Sequence, residues 1–123
     1  MTNTLAIGDI LIRSKAFGFI NHVGVYLGFN TVLQNTRERG EHSCTIEEFC
    51  EGQKIQVLPT NGNPMNVLDR ARRILANPQR YNPFLRNCEH TVSEAAQGRA
   101  KSWQIILGVA IAVAVLLFFI RRS

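Results

Sequence analysis

This sequence of 123 residues has few cysteines, few aromatic residues and few charges. It contains three cysteines, and only 8% of its residues are aromatic and 19% charged. An odd number of cysteines in a small domain is not a disulfide framework and agrees with a reducing compartment, although a bridge between Cys44 and Cys50 stays open. The net charge of +5 is spread along the chain without interleaved aromatic residues, so we expect no nucleic-acid partner.

The sequence also lacks an internal repeat, a second domain and a secretory signal. Its length allows one ordinary domain. The first residues have no basic start followed by an apolar run and a small-residue cleavage site, which a signal peptide would need. We therefore expect a single domain over residues 1–101 that stays in the cytoplasm.

One long apolar run is present at the end of the chain. Residues 102–120 carry no charged side chain, and as a helix they would reach about 28 Å, close to the ~30 Å hydrocarbon layer of a membrane. Trp103 on one side, and Arg121 and Arg122 on the other, suit the two interfaces. A buried core helix is the alternative, but it would normally show a polar face. The sequence predicts a transmembrane helix over 102–120 and a basic tail over 121–123, which together form a single-pass C-terminal membrane anchor.

Strand patterns dominate the first half of the domain. Alternating segments rich in β-branched and aromatic residues predict strands over residues 9–12, 22–27, 31–34 and 54–58. The second and third of these strands are close enough to form a tight hairpin. The polar segment that contains His42 and Cys44 is predicted to be a loop, and neither residue is given a role.

Helix signals follow the strands. A capping box starts the first helix at Thr45, an Asn-Pro pair starts the second at Pro64, and an asparagine cap starts the third at Cys88, which ends at Gly98. Strands that are followed by helices favour a small α+β domain with an antiparallel sheet.

Cys88 is the candidate nucleophile because it stands directly after a helix-capping asparagine. Unpaired N–H groups and the helix dipole favour an anion at this end of a helix. We therefore expect the pKa of the thiol to be lowered and the thiolate to be a stronger nucleophile at neutral pH. The same N–H groups could stabilise an oxyanion. The alternative is a buried cysteine that packs as a small hydrophobic residue.

His22 is the candidate base for Cys88. It stands at the start of a strand, and alternation places its imidazole on the face opposite that of Val23, where it could line a cleft. A histidine with a purely structural role is the alternative. Gly24 and Tyr26 follow on the same face as His22, and we expect them to contribute to substrate binding. Packing of Tyr26 in the core is the alternative for that residue.

Gln34 is the candidate for orienting His22. If Leu27 lies opposite Thr31 in the hairpin, Gln34 falls one diagonal step from His22 on the same face of the sheet. Its amide oxygen could then hold the imidazole N–H. The next residue, Asn35, would project to the other face unless a bulge changes the register.

The segment His22-Val-Gly-Val-Tyr-Leu-Gly, followed far downstream by Asn87-Cys88-Glu-His-Thr-Val, resembles the lecithin retinol acyltransferase family over about residues 5–97. That family is similar to the NlpC-type cysteine peptidases and has a circularly permuted papain-like fold. The resemblance implies that Cys88 is the nucleophile, His22 its base and Gln34 the third polar residue. Animal members usually have a second histidine at the third position, and Gln34 departs from this because an amide does not titrate.

The same resemblance implies a function. Family members take acyl groups from lipids through a thioester and have a carboxy-terminal membrane helix. We therefore expect a membrane-anchored thiol acyltransferase or phospholipase that transfers an acyl group from a phospholipid or other acyl lipid, by way of Cys88, to water, a lysolipid or an amine. Two alternatives stay open. One is a cysteine peptidase or amidase with the same Cys–His pair, and the other is a catalytically weak, membrane-anchored binding or regulatory domain.

We expect neither a metal ion nor a cofactor. Three cysteines and three histidines are present, which is enough for a zinc site. Their spacing, however, contains no C-x₂₋₄-C or H-x₃₋₅-H pair of the kind that binds zinc.

Overall fold

A computed structural model describes residues 4–15, 20–82, 86–98 and 113–121 of the chain. These residues form one antiparallel sheet of five strands together with four helices. The strands are β1 (Ile10–Lys15), β2 (Ile20–Gly28), β3 (Thr31–Thr36), β4 (Gly40–Thr45) and β5 (Ile55–Leu58). The helices are α1 (Ile46–Cys50), α2 (Pro64–Ala76), α3 (Cys88–Gln97) and α4 (residues 113–121). The predicted α+β class and the antiparallel sheet are confirmed.

The strand order β4-β3-β2-β1-β5 makes β2 the central strand. A bulge at Leu27 in the hairpin of β2 and β3 places Thr31 opposite Gly28, rather than opposite Leu27 as predicted. Beyond the bulge, Gln34 lies opposite Gly24. This is the same register that an unbulged pairing of Leu27 with Thr31 would produce, so the predicted position of Gln34 is confirmed.

The polar segment after β3 is strand β4, at one edge of the sheet, and the prediction of a loop was wrong. Gln34 pairs with His42, and Asn35 pairs with Glu41. Glu41 is buried and His42 is half-buried, because neighbouring residues of a strand point to opposite faces. The segment has few of the β-branched residues that mark a strand in sequence. Its conformation comes from pairing with β3, which a local pattern does not reveal.

The two faces of the sheet pack against different helices. The α3 face packs against α2 and α3, and its buried cluster includes Ile10, Val23, Val25, Leu33, Val67, Cys88 and Val92. The α1 face packs against α1, and its buried cluster consists of Leu11, Val32, Cys44 and Phe49. Because side chains alternate along β2, residues 23 and 25 face α3, whereas residues 22, 24 and 26 face α1.

Cap geometry confirms the three predicted helix starts. Thr45 Oγ1 accepts a hydrogen bond from Glu48 N at 3.1 Å, and the Glu48 carboxylate accepts one from Thr45 N at 3.0 Å, which completes the capping box of α1. Asn63 caps α2, and Asn87 caps α3. These caps supply acceptors for N–H groups that have no partner within the helix.

The apolar run near the C-terminus does not provide the predicted transmembrane helix. No helix in the described part of the chain is long and apolar enough to cross a membrane. The described portion of the run is helix α4. Residues 102–112 of the predicted span, and 122–123 of the predicted tail, lie outside the described residues. The transmembrane part of the fold prediction is therefore wrong, as are the C-terminal anchor and the membrane location that depended on it.

Candidate active site

His22 lies on the central strand, buried against α1. Only 1% of its surface is exposed. Its ring stacks on the ring of Phe49, with centroids 5.3 Å apart and an interplanar angle of 27°. Arg13 is the cross-strand neighbour of His22 on β1, and its Nε donates to the backbone carbonyl of Phe49 at 2.8 Å. The Phe49 ring therefore contacts both the imidazole of His22 and the guanidinium of Arg13, which lies 5.9 Å from the ring centroid.

Gln34 meets His22 at the predicted position. Gln34 Oε1 accepts a hydrogen bond from His22 Nε2 at a distance of 2.8 Å, and both side chains are buried. An amide has no titratable proton at ordinary pH, so it orients the ring without competing for its proton. The predicted contact is confirmed, and the catalytic role of the two residues stays a prediction.

His42 continues this contact to the edge of the sheet. Gln34 Nε2 lies 3.0 Å from His42 Nε2, and His42 Nδ1 donates to the backbone carbonyl of Gly40 at 2.8 Å. We call His22, Gln34 and His42 the histidine relay. Sequence reasoning missed His42 because its segment was interpreted as a loop. Once that segment is known to pair with β3, the position of His42 opposite Gln34 identifies it.

Cys88 is the first residue of α3, as predicted. The side chain of Asn87 accepts hydrogen bonds from Glu89 N at 2.9 Å and from His90 N at 3.1 Å. In return, His90 Nδ1 accepts one from Asn87 N at 3.0 Å. Burial, and then the charge of Arg86, lower the pKa of His90 below its usual range, which keeps its ring neutral and able to accept. Cys88 is 5% exposed and belongs to the cluster on the α3 face.

The structure does not bring Cys88 and His22 together. Cys88 packs on the α3 face of the sheet, whereas His22 stacks on Phe49 on the α1 face. β2 is the central strand, so the sheet itself separates the two side chains. The predicted contact between thiol and imidazole required α3 to pack on the same face as His22, and which face a helix covers is not set by strand alternation.

The two residues predicted to bind substrate lie on the α1 face. Tyr26 is partly buried against the cluster around Phe49. A Cβ atom at Gly24 would approach both Phe49 Cε1 and Val32 Cγ1 at 2.7 Å. Core side chains therefore occupy the space beside Gly24, which permits the close approach of Phe49 to the strand.

A buried charge network joins β4 to the start of α3. Glu41 Oε2 accepts hydrogen bonds from Arg86 Nε at 2.8 Å and from Thr91 Oγ1 at 2.7 Å. Glu41 Oε1 accepts one from Gln79 N at 2.8 Å, and Arg86 also pairs with Glu94. The Glu41 side chain is only 1% exposed, so these partners replace the water that a carboxylate would otherwise bind.

Asn35 lies on the same face as Cys88, within this network. Its Nδ2 donates to Arg86 O at 2.9 Å and to Thr91 Oγ1 at 3.0 Å. Its Oδ1 is buried and has no hydrogen-bond partner among the described residues. A buried acceptor without a partner costs free energy, so Asn35 Oδ1 is suited to accept a donor that reaches this face.

A polar cavity borders His22. Its volume is about 230 Å³, and it is lined by Arg13, His22, Thr36, Arg37, Glu38 and Glu51. This lining offers cationic, anionic and hydroxyl groups, so the cavity can accommodate a polar group beside the imidazole. Cys88 is not among the described residues that line it.

Cys44 is expected to be the least reactive of the buried thiols. Burial, and then the charge of Glu48, raise its pKa from 9.0 to about 11. At pH 8 its thiolate fraction is therefore about 100-fold lower than that of an unperturbed thiol, since each pKa unit is a factor of ten. We expect iodoacetamide at pH 8 to label Cys44 about 100-fold more slowly in the folded chain than in the urea-unfolded chain, as followed by peptide mass spectrometry. Similar rates in the two states would contradict this assignment.

Comparison with known proteins adds no identification. The chain matches no known family model and no curated protein. Among the described residues there is also no group of three or more Cys, His, Asp or Glu side chains that could hold a metal ion.

Proposed function

We propose that this domain is a thiol acyltransferase that forms a thioester on Cys88. The observation that carries the proposal is the position of Cys88 as the first residue of α3. This helix start has a capping box, in which the Asn87 side chain accepts from backbone N–H groups of the helix and the His90 side chain accepts from the backbone N–H of Asn87. The partial positive charge at the start of a helix favours a thiolate and an oxyanion formed beside it. The resemblance of the two sequence segments to a family of lipid acyltransferases supports the same chemistry.

The proposed reaction has two steps. Cys88 Sγ attacks the carbonyl carbon of an ester in an acyl lipid, such as a phospholipid. The C–O bond breaks, and the alcohol leaves with the thiol proton. In the second step, water, a lysolipid or an amine attacks the thioester, which releases the acyl product and returns the proton to the thiol. His22 is the proposed base in both steps.

This role for His22 requires a second conformation of the domain. A base must come within about 3 Å of the group from which it takes a proton, and His22 and Cys88 lie on opposite faces of β2. A one-residue bulge between His22 and Val23 would turn His22 to the α3 face while Val23 kept its place in the core, because a shift of one residue reverses the direction of a side chain. Asn35 Oδ1, buried on that face without a partner among the described residues, would then be available to accept the imidazole N–H.

A second candidate function is a non-catalytic binding or regulatory domain. The separation of His22 from Cys88 by the sheet favours it. In this case the polar cavity beside His22 is the binding site, and Cys88 is a core residue. Binding then needs no rearrangement of β2.

The two candidates are separated by the mass of the full-length protein after exposure to an acyl donor. The chain is incubated with a phospholipid in mixed micelles, or with a peptide amide, and then analysed by intact-protein and peptide mass spectrometry. Acyl transfer predicts an acyl adduct on Cys88 from the phospholipid. An adduct from the peptide donor alone would assign an amidase or peptidase. Absence of any adduct, with Cys88 no more reactive toward iodoacetamide than Cys50, would reject catalysis and favour the binding domain.

A further inference from the structure

His42 has no part in the proposed reaction, yet it is the outer member of the histidine relay. It lies on the edge strand β4 and is half-buried, whereas His22 at the inner end is 1% exposed. Gln34 contacts both rings, at 2.8 Å to His22 and 3.0 Å to His42. Solvent protons therefore reach one end of the relay more easily than the other.

The hydrogen bonds define where each ring carries its proton. Gln34 Nε2 can only donate, so His42 Nε2 accepts, and the proton of His42 is on Nδ1, which donates to Gly40 O. Gln34 Oε1 can only accept, so His22 carries its proton on Nε2. This arrangement is self-consistent when His42 is neutral, and it leaves the lone pair of a neutral His22 on Nδ1.

Protonation of His42 is incompatible with this arrangement. An imidazolium donates from both nitrogens, so His42 Nε2 would oppose the N–H groups of Gln34. The amide can resolve the conflict by turning over, which directs Oε1 at His42 and Nε2 at His22. His22 Nε2 must then accept, and the proton of a neutral His22 moves to Nδ1.

We propose that His42 is a positioning residue that selects the tautomer of His22 through the Gln34 amide. When His42 is neutral, His22 carries its proton on Nε2, and when His42 is charged, His22 carries it on Nδ1. The tautomer exchange is a property of the relay alone.

Charged groups lie near both ends of the relay. Glu48 of α1 interacts electrostatically with His42 and with Arg39, which belongs to the turn before β4. Around His22, the charged neighbours are the residues of the polar cavity, namely Arg13, Arg37, Glu38 and Glu51.

The tautomers can be read directly from long-range ¹⁵N–¹H correlation spectra of the histidine rings in the full-length protein. At pH 8 we expect the Nε2–H pattern for His22 and the Nδ1–H pattern for His42. On lowering the pH, the His22 pattern should change to Nδ1–H with the same midpoint at which His42 becomes charged. A His22 pattern that stays constant while His42 titrates would overturn the proposal.

Two variants make the test specific. His42→Gln keeps a donor and an acceptor at this position but removes the titration, so the pH-dependent exchange of His22 should disappear. Gln34→Leu breaks the connection, so His42 should titrate without any change of the His22 tautomer at that midpoint. If the tautomer of His22 still changes in either variant at the pH midpoint of the unaltered chain, the proposed relay is wrong. Because these spectra need no substrate, failure of the acyl-adduct experiment would reject the proposed function and leave the relay standing.

Discussion

Replacement of Cys88 by serine is expected to reduce acyl transfer below detection, a loss of at least about 10³-fold. The oxygen of serine is far less acidic than a thiol and would not ionise at the start of α3 without a strong base. The measurement is the rate of release of a labelled fatty acid or acyl product from a phospholipid in mixed micelles. Intact-protein mass spectrometry should show no adduct on the variant.

The matched control for this variant is Cys50→Ser. Cys50 is the last residue of α1 and is partly buried on the other face of the sheet, so the same chemical change is made away from the proposed nucleophile. The control should keep the activity of the unaltered chain. Circular dichroism melting of both variants shows whether the fold is retained. A Cys88→Ser chain that is folded and turns over at the normal rate would end the acyl-transfer proposal.

Replacement of Arg86 by methionine is expected to cost about 3–5 kcal/mol of unfolding free energy. Arg86 Nη2 lies 2.6 Å from Glu41 Oε2, and the side chains of Glu41 and Arg86 are only 1% and 10% exposed. Without Arg86, the carboxylate of Glu41 would stay buried without its counter-charge, retaining only its neutral donors. Urea denaturation of the full-length chain, followed by circular dichroism, measures the change.

Three further variants identify the cause of this loss. Arg73→Met removes an arginine from an exposed pair with Asp69, whose side chains are 72% and 54% exposed, and should change stability by no more than about 0.5 kcal/mol. The double variant Glu41→Gln, Arg86→Met leaves no buried charge and should be more stable than Arg86→Met alone. If Arg86→Met loses less than about 1 kcal/mol of unfolding free energy, water solvates the carboxylate of Glu41 and the expected cost is wrong. If the Arg86→Met chain does not fold, Arg86→Lys takes its place in the comparison of unfolding free energies. Lysine keeps the positive charge but loses the paired geometry of the guanidinium.

Local patterns predicted most of the secondary structure. The helices at Ile46, Pro64 and Cys88 start where capping residues supply acceptors to N–H groups that lack partners, and this requirement acts over three or four residues. The contact of Gln34 with His22 was also predictable. A hairpin is short, and alternation along its strands decides which side chains share a face.

Two predictions were wrong, and the first concerned a segment whose conformation depends on distant residues. His42 was missed because β4 is polar and forms only by pairing with β3. The second error was the transmembrane helix predicted from the apolar run, because no helix in the described part of the chain is long and apolar enough to cross a membrane.

The amino-acid sequence by itself determined where the helices start, including the helix that begins at Cys88. It also determined which residues of the β2–β3 hairpin share a face. Both features depend on interactions between residues that are near in the chain. Only the tertiary structure decided that α3 covers the face of Val23 rather than that of His22. A helix and a sheet associate wherever their apolar surfaces fit best, and this sheet has a buried apolar cluster on each face. Phe49 packs against one face of the sheet and Val92 against the other. His22 and Cys88, which the sequence pattern predicted to be in contact, therefore lie on opposite faces.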